Sequence, residues 1–227
     1  MIIFVLTPFV LVYNEIMQTI HKHQYSKQPD YAHNEEKKRA RDQIIKIYRD
    51  LTGRYSIPPE KGYWTFCNRQ PDVEGAEIVQ FVNEGLLTKE QFFGIDNDIN
   101  QEGIIEANKK DHPEANWFCG DWFEMIDKHY QLFNPALIYF DYTKTVATTA
   151  CHRYLARTMN ICPEGTIVVA NLMISDGHSS RRFDKNDLVQ GVNRFLRNRE
   201  NWLILDEAYI YKASRTDMAT FIFRKKN

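Results

Sequence analysis

Two stretches decide the fold of this chain, Ala136-Leu-Ile-Tyr-Phe-Asp141 and Thr166-Ile-Val-Val-Ala-Asn-Leu172. Both are short, apolar and rich in β-branched or aromatic residues, which is typical of buried strands. Between them, residues 146–159 have apolar residues at helical spacing. A strand, a helix and a second strand in this order predict a parallel pair of strands joined by a crossover helix.

The same unit recurs on both sides of this stretch. Strands are predicted at residues 63–67, 92–96 and 116–119, and each is followed by a helical pattern, at about 75–83, at 102–110 and from Trp122 onward. The fifth strand is followed by a helix at about 187–196. Five strand–helix units predict a parallel sheet with helices on both faces, because each parallel connection needs a crossover.

The carboxyl-terminal end departs from this alternation. Residues 202–211 and 218–224 are both strand-like, and the six residues between them, 212–217, are too few for a helical crossover. They are therefore predicted to pair antiparallel. The predicted fold class is α/β: a doubly wound, mostly parallel seven-stranded sheet with an antiparallel C-terminal hairpin and helices on both faces.

The amino-terminal part has a different composition. Residues 14–51 are charged and helical in pattern, and Ile57-Pro58-Pro59 ends that pattern, because proline disfavours helical geometry before it. We predict an N-terminal extension at 1–57 and the main domain at 58–227. Residues 1–13 are almost wholly apolar but too few to span a bilayer, and they lack the basic start of a secretory signal. A short buried element, an interfacial anchor and an upstream extension of the reading frame remain open for them.

Composition excludes several classes of protein. The 227 residues are 43% hydrophobic and 26% charged, with 29 Lys+Arg against 30 Asp+Glu and a net charge of -1, so any nucleic-acid surface has to be a local patch. The four cysteines include no C-x-x-C pair, which favours reduced thiols and a cytoplasmic location. The histidines show no metal-ligand spacing, so no metal site is expected, and no membrane span is expected either.

Candidate ligand residues follow the strands, because ligands of open parallel sheets bind beyond the carboxyl ends of the strands. Asp96 closes the second strand, where a carboxylate can accept both hydroxyls of a ribose, and Asn97 follows it. Gly120, Asp121 and Trp122 follow the third strand and suit an adenine ring, by close backbone approach, by accepting from an exocyclic amine and by covering an aromatic face. Helix capping is the alternative role for both aspartates.

These motifs, in this order, resemble the class I S-adenosylmethionine-dependent methyltransferases. The resemblance runs from about residue 62 to 224 and rests on Gly94-Ile-Asp96, Gly120-Asp121, Phe140-Asp141-Tyr142 and the hairpin at 209–223. It implies S-adenosylmethionine as cofactor and methyl transfer to an unidentified nucleophile on a nucleic-acid base, a protein side chain or a small molecule. The loop at 67–75 departs from the family, which has a glycine-rich loop there, whereas this loop offers Cys67, Asn68 and a single late glycine, Gly75.

The residues after the fourth strand are the candidate catalytic residues. Asp141 could orient or deprotonate a nucleophile and Tyr142 could stack on a planar substrate. An aspartate in a partly buried loop, without a catalytic role, is equally compatible with the sequence.

Two other functions of the protein stay open. One is a catalytically inactive methyltransferase-like binding or regulatory protein, and the other is a nicotinamide-dependent oxidoreductase. The oligomeric state is not indicated.

Overall fold

A computed structural model of the chain describes residues 35–96, 102–174, 182–205, 209–213 and 216–226. The strands are β1 (Gly62–Phe66), β2 (Phe92–Asp96), β3 (Asn116–Cys119), β4 (Pro135–Thr145), β5 (Ile167–Met173), β6 (Trp202–Ile204), β7 (Tyr209–Ala213) and β8 (Thr216–Lys225). The helices are α1 (Glu35–Thr52), α2 (Glu77–Asn83), α3 (Glu102–Asp111), α4 (Trp122–Lys128), α5 (Thr149–Ile161) and α6 (Lys185–Asn193).

All eight strands form one sheet. Its order is β3-β2-β1-β4-β5-β8-β6, and β7 also pairs with β8. Strands β1 to β5 are mutually parallel, while β8 runs antiparallel to β5. The chain winds outward in both directions from β1 and β4, so the carboxyl ends of these two neighbours mark the point where the strand order reverses.

Two hydrophobic cores lie on opposite faces of this sheet. Successive residues of β4 alternate between them: Ile138 and Phe140 pack with α4, α5 and α6, whereas Leu137 and Tyr139 pack with α1, α2 and α3. Strand residues that are buried on both faces explain the near-continuous apolar runs in the sequence. The predicted α/β, doubly wound architecture with helices on both faces is confirmed.

The predicted number of strands, seven, is wrong because of one segment. The segment predicted as one strand at 202–211 contains two strands, β6 and β7, which pair with different parts of β8. Residues 206–208 between them lie outside the described part of the chain. The antiparallel pairing of β7 with β8 is as predicted, and the split raises the number of strands to eight.

Helix α1 packs directly against the main domain. Its residues Ile44, Ile45 and Tyr48 belong to the same hydrophobic core as Tyr63 of β1 and Phe81 of α2. The predicted boundary between the N-terminal extension and the main domain at residue 57 stays a prediction. Helix α1, which belongs to the predicted extension, shares a hydrophobic core with the sheet.

The apolar run at 1–13 lies outside the described residues. Among those described, no helix is long and apolar enough to cross a membrane.

Replacing Ile44 tests the packing of α1. Ile44 is 1% exposed, so Ile44→Ala should lower the free energy of unfolding by about 2–5 kcal/mol, because apolar burial decreases and a cavity remains. The measurement is urea denaturation, with Lys46→Ala as the matched control, because Lys46 is exposed on the same helix. If the two variants unfold at the same urea concentration, α1 does not contribute to this core.

Candidate functional site

A cavity of about 510 Å³ opens at the carboxyl edge of the parallel strands. Its position follows from the reversal of strand order between β1 and β4, which leaves a crevice beyond their ends. The lining residues come from the ends of β1, β2 and β3, from β4, which continues beyond the strand end predicted at residue 141, and from the starts of α4 and α5: Phe66, Ile95, Asp96, Gly120, Trp122, Asp141, Tyr142, Thr148, Ala150, Cys151 and Tyr154. The wall is largely apolar and aromatic, and it carries two carboxylates.

The first carboxylate, Asp96, is the last residue of β2 and is partly exposed. The parallel pairing of β2 with β3 continues past the strand, because the Gly120 N–H donates to the Asp96 carbonyl at 2.8 Å. This bond brings the two strand ends together at the cavity. The neighbouring candidate Asn97 lies outside the described residues.

The three candidates after β3 occupy different positions. Gly120 has a φ of 154°, and an added Cβ would lie 2.6 Å from Met125 Cε, so this site favours glycine. Asp121 is the N-cap of α4, where its Oδ1 accepts from the Phe123 and Glu124 N–H groups, and it does not line the cavity. The capping role therefore accounts for Asp121, and its contact with an adenine amine stays a prediction. The ring of Trp122 is buried in the cavity wall against Phe140.

The second carboxylate, Asp141, is paired with a residue of α1. Lys37 Nζ donates to Asp141 Oδ2 at 2.7 Å, and both side chains are largely buried. Such a pair is screened less by water than a surface ion pair. Asp141 lies between the main cavity and a smaller polar one of about 40 Å³, which Arg41, Asn68 and Lys37 help to line.

The aromatic candidate Tyr142 forms a wall of the cavity. Its ring packs beside Phe66, with centroids 5.5 Å apart, and beside Phe140 at 5.3 Å. Burial raises the pKa of the Tyr142 hydroxyl well above its ordinary value, so the phenol is neutral at physiological pH. Among the described residues, its oxygen has no hydrogen-bond partner. The hydroxyl is buried within the wall and is not exposed to the cavity.

The start of α5 supplies the opposite wall. Thr148, Ala150, Cys151 and Tyr154 face the cavity because α5 begins at the edge where β4 ends. Burial raises the pKa of the Cys151 thiol to about 12 and also raises the pKa of Tyr154. Neither group is ionised at neutral pH, so this wall presents neutral, weakly polar groups.

The glycine-poor loop after β1 is held by Asn108 of α3. Asn108 is fully buried, and its Oδ1 accepts from the Gln70 N–H at 2.7 Å and from Arg69 Nη1 at 3.1 Å. Its Nδ2 donates to Cys67 Sγ at 3.0 Å and to the Asn68 carbonyl at 2.9 Å. A single side chain thus satisfies polar groups of four successive loop residues. The thiol of Cys67 is buried beneath the loop, outside the lining of the main cavity.

The end of this loop is fixed by α1. The Gly75 carbonyl accepts from Arg41 Nη2 at 2.8 Å, and Gly75 has a φ of 100°, which favours glycine in the turn that leads into α2. Glu77 begins α2 and accepts from the Tyr63 hydroxyl at 2.7 Å. Burial raises the pKa of Glu77, and nearby Arg41 partly offsets that effect. Gly75 therefore shapes the end of the loop, but it does not line the main cavity.

The structure brings together five of the predicted site residues in one cavity: Asp96, Gly120, Trp122, Asp141 and Tyr142. It places Cys67, Asn68, Gly75 and Asp121 outside that lining. Their roles as ligand residues, like those of the five, stay predictions. No group of three or more His, Cys, Asp or Glu side chains within the described residues could hold a metal ion.

Comparisons with known proteins agree on the fold. No protein-family model matches the sequence, and no curated protein matches it. An O-methyltransferase from Bacillus cereus, solved with S-adenosylhomocysteine, superimposes with a TM-score of 0.56 at 11% identity, over 98% of this chain and 94% of its own. The O-methyltransferase TomG of Streptomyces achromogenes, solved with S-adenosylmethionine, gives a TM-score of 0.58 at 11% identity, over 90% and 86%.

A third solved structure covers the whole of its own chain. An S-adenosylmethionine-dependent methyltransferase from Clostridium acetobutylicum gives a TM-score of 0.57 at 10% identity, over 95% of this chain and 100% of its own. The chain has the Rossmann-like fold of class I methyltransferases. At these identities the likeness concerns the fold, and the site has to be argued from its own residues.

Within this methyltransferase fold, sequence reasoning missed several residues of the site. Lys37, Thr148, Cys151 and Tyr154 were not identified as site residues, and neither was Asn108 beneath the loop. A helix that follows β4 begins at the ligand edge, so the start of α5 could have been inferred from topology. The contacts of Lys37 and Asn108 join residues far apart in the chain, and no local signal in the sequence indicates them.

Replacing Asn108 tests how the first loop is held. Asn108→Ala leaves the buried Gln70 N–H without its acceptor, and the free energy of unfolding should fall by about 1–3 kcal/mol. Urea denaturation measures this, and Asn83→Ala, at an exposed residue at the end of α2, is the control. Equal stability of the two variants would mean that the loop is held by other contacts.

Proposed function

We propose that the chain is an S-adenosylmethionine-dependent methyltransferase whose methyl acceptor is unidentified. The observation that carries the proposal is the convergence of Asp96 and Asp141 on one cavity of about 510 Å³ at the point of strand reversal. A bound ligand there contacts the ends of four parallel strands, which is where α/β sheets of this type bind nucleotides. The solved structures that share the fold include two with S-adenosylmethionine or S-adenosylhomocysteine bound.

The residues of the cavity fit this cofactor in size and in chemistry. Its volume lies within the range of about 300–1,000 Å³ that is usual for small-molecule sites. The Asp96 carboxylate can accept from the two ribose hydroxyls, and Gly120 exposes backbone beside it. The aromatic wall, which includes Trp122, suits the adenine ring. When bound, the cofactor supplies an electrophilic methyl group on a sulfonium.

Asp141 is the residue proposed to orient the methyl acceptor. Lys37 binds its Oδ2, so the carboxylate is held in one orientation while it still lines the main cavity. An acceptor hydroxyl or amine that donates to Asp141 is held within a cleft of mainly apolar walls. Most of the rate enhancement in such a transfer comes from alignment of the two reactants, so a strong base is not required.

Replacing Asp96 tests the cofactor site. Asp96→Ala removes a charged acceptor from the proposed ribose contacts and should weaken binding of S-adenosylmethionine and S-adenosylhomocysteine roughly tenfold to a hundredfold. Isothermal titration calorimetry measures both ligands. Asp127→Ala is the matched control, because Asp127 is exposed on α4 and does not line the cavity. Unchanged affinity of Asp96→Ala would refute the assignment of Asp96.

Replacing Asp141 separates binding from transfer. Asp141→Ala should keep the affinity for S-adenosylmethionine within about threefold and lower methyl transfer by about 10²–10⁴. The measurement is release of S-adenosylhomocysteine in the presence of fractionated cell extract as the source of acceptors. Turnover equal to that of the wild type would show that Asp141 has no role in the transfer.

A catalytically inactive binding or regulatory protein is the second candidate. The observation that favours it is the loop after β1, which lacks the glycines of the family and is held by the buried side chain of Asn108. Calorimetry distinguishes the two candidate functions. No detectable heat at millimolar S-adenosylmethionine or S-adenosylhomocysteine contradicts the methyltransferase and supports the inactive binding or regulatory protein.

We also infer a cytoplasmic location, supported by the four free cysteines.

A further inference from the structure

Six arginines lie on the helical layer that contains α5 and α6: Arg153, Arg157, Arg182, Arg194, Arg197 and Arg199. All six are exposed. Within the part of the chain that the structure describes, none of them forms an ion pair or a side-chain hydrogen bond. These residues define what we term the arginine face. Elsewhere in the described chain, basic side chains such as Lys37, Lys38 and Arg69 do pair with carboxylates.

The packing of the helices gathers these arginines. Arg153 and Arg157 are one turn apart on α5, which contains no acidic residue. The segment after α6 is docked onto α5 by Asn160, whose Nδ2 donates to the Phe195 carbonyl and whose Oδ1 accepts from the Arg197 N–H. This contact brings Arg197 to the helix that carries Arg153 and Arg157.

Two of the guanidinium groups are ordered by aromatic rings. Arg157 lies over the Phe123 ring at 3.8 Å, and Arg153 lies over the Phe195 ring at 5.5 Å. An arginine that stacks on a ring keeps its planar fork of donors available and loses less side-chain freedom when it binds a ligand. The stacking thus prepares this surface to bind a planar or tetrahedral oxyanion.

The acidic residues of the same layer form no ion pair with the arginines of the face in the described chain. Asp184 accepts from the N–H groups of Asn186 and Asp187 and so caps α6. Asp187 forms the reciprocal bond of that capping box. Glu124 and Asp127 lie on α4, and Glu200 adjoins Arg199, but none of the three is paired with an arginine of the face in the described chain. The six arginines are therefore available to bind an external anion, which the net charge of -1 for the whole protein does not indicate.

We propose that the arginine face binds the phosphodiester backbone of a single-stranded nucleic acid. Guanidinium groups bind phosphate oxygens in a bidentate manner, and several unpaired arginines on one layer suit a polyanion. Helix α5 presents this face to solvent, and its Ala150, Cys151 and Tyr154 line the main cavity. A strand on the arginine face thus runs beside a cavity with aromatic walls of the kind on which unpaired bases stack.

The assignment of the nucleic acid as methyl acceptor rests on the proposed function, whereas binding of the backbone does not. Tyr142 lines the cavity and offers an aromatic surface for an unpaired base, since the proposed function assigns Trp122 to the adenine of the cofactor. A single strand is required, because a base in a duplex cannot enter a cavity without leaving the stack.

Fluorescence anisotropy tests the surface with labelled single-stranded RNA, single-stranded DNA and duplex DNA of mixed sequence, without S-adenosylmethionine. The wild-type chain should bind the single strands, with affinity that falls as salt rises. Arg153→Gln with Arg157→Gln should weaken binding about tenfold and reduce the salt slope by about 0.7 for each phosphate that the variant no longer neutralises. Arg194→Gln with Arg197→Gln, two residues without a ring contact, should act in the same way.

The matched control is Lys46→Gln with Arg54→Gln, which removes the same charge from exposed residues in or beside α1. It should bind like the wild type. Equal binding by both arginine variants and the control would overturn the proposal. So would binding of anionic phospholipid vesicles or polyglutamate with no binding of oligonucleotides. If oligonucleotides bind but calorimetry detects no binding of S-adenosylmethionine, the proposed enzyme activity is contradicted, whereas nucleic-acid binding by the arginine face is supported.

Discussion

The rest of the site depends on one constraint, the parallel pairing of β1, β2, β3, β4 and β5. Parallel strands end at a common edge, so residues that are far apart in the chain meet there. Asp96 and Asp141 reach the same cavity for this reason, and Gly120 joins them through its bond to the Asp96 carbonyl. The reversal of strand order between β1 and β4 leaves the opening.

Contacts from outside the sheet then decide which side chains are available at that edge. Helix α1 contributes Lys37 to Asp141 and Arg41 to the Gly75 carbonyl. Helix α3 contributes Asn108, which fixes the loop after β1. In the family that the sequence resembles, glycines leave this loop open to the cofactor. Here a buried amide holds the loop, and the candidate ligand residues that line the cavity are concentrated at β2, β3, β4 and the start of α5.

The fold could be predicted largely from local patterns. The bounds of β2 and β3 are those predicted, because short apolar runs between turn residues are a local signal. The split of residues 202–211 into β6 and β7 could not be predicted, because both halves are strand-like and the division depends on where each pairs with β8. The core packing of α1 depends in the same way on partners far along the chain.

The site could be predicted only in part. Asp96, Gly120 and Asp141 were identified because topology fixes where strand ends lie. Trp122 and Tyr142 also reach the cavity, but as buried walls. Lys37 could not be predicted as a site residue, because it lies 104 residues from its partner Asp141. The arginine face could not be predicted from the net charge of -1, because that value averages over the whole chain.

A structure of the protein crystallised with S-adenosylhomocysteine tests the central claim most directly, since that claim concerns where a ligand binds. The account predicts electron density for the ligand in the cavity between the ends of β1 and β4, with its ribose hydroxyls within hydrogen-bond distance of the Asp96 carboxylate. Density at another surface, or a cavity without the ligand at saturating concentration, would contradict the account.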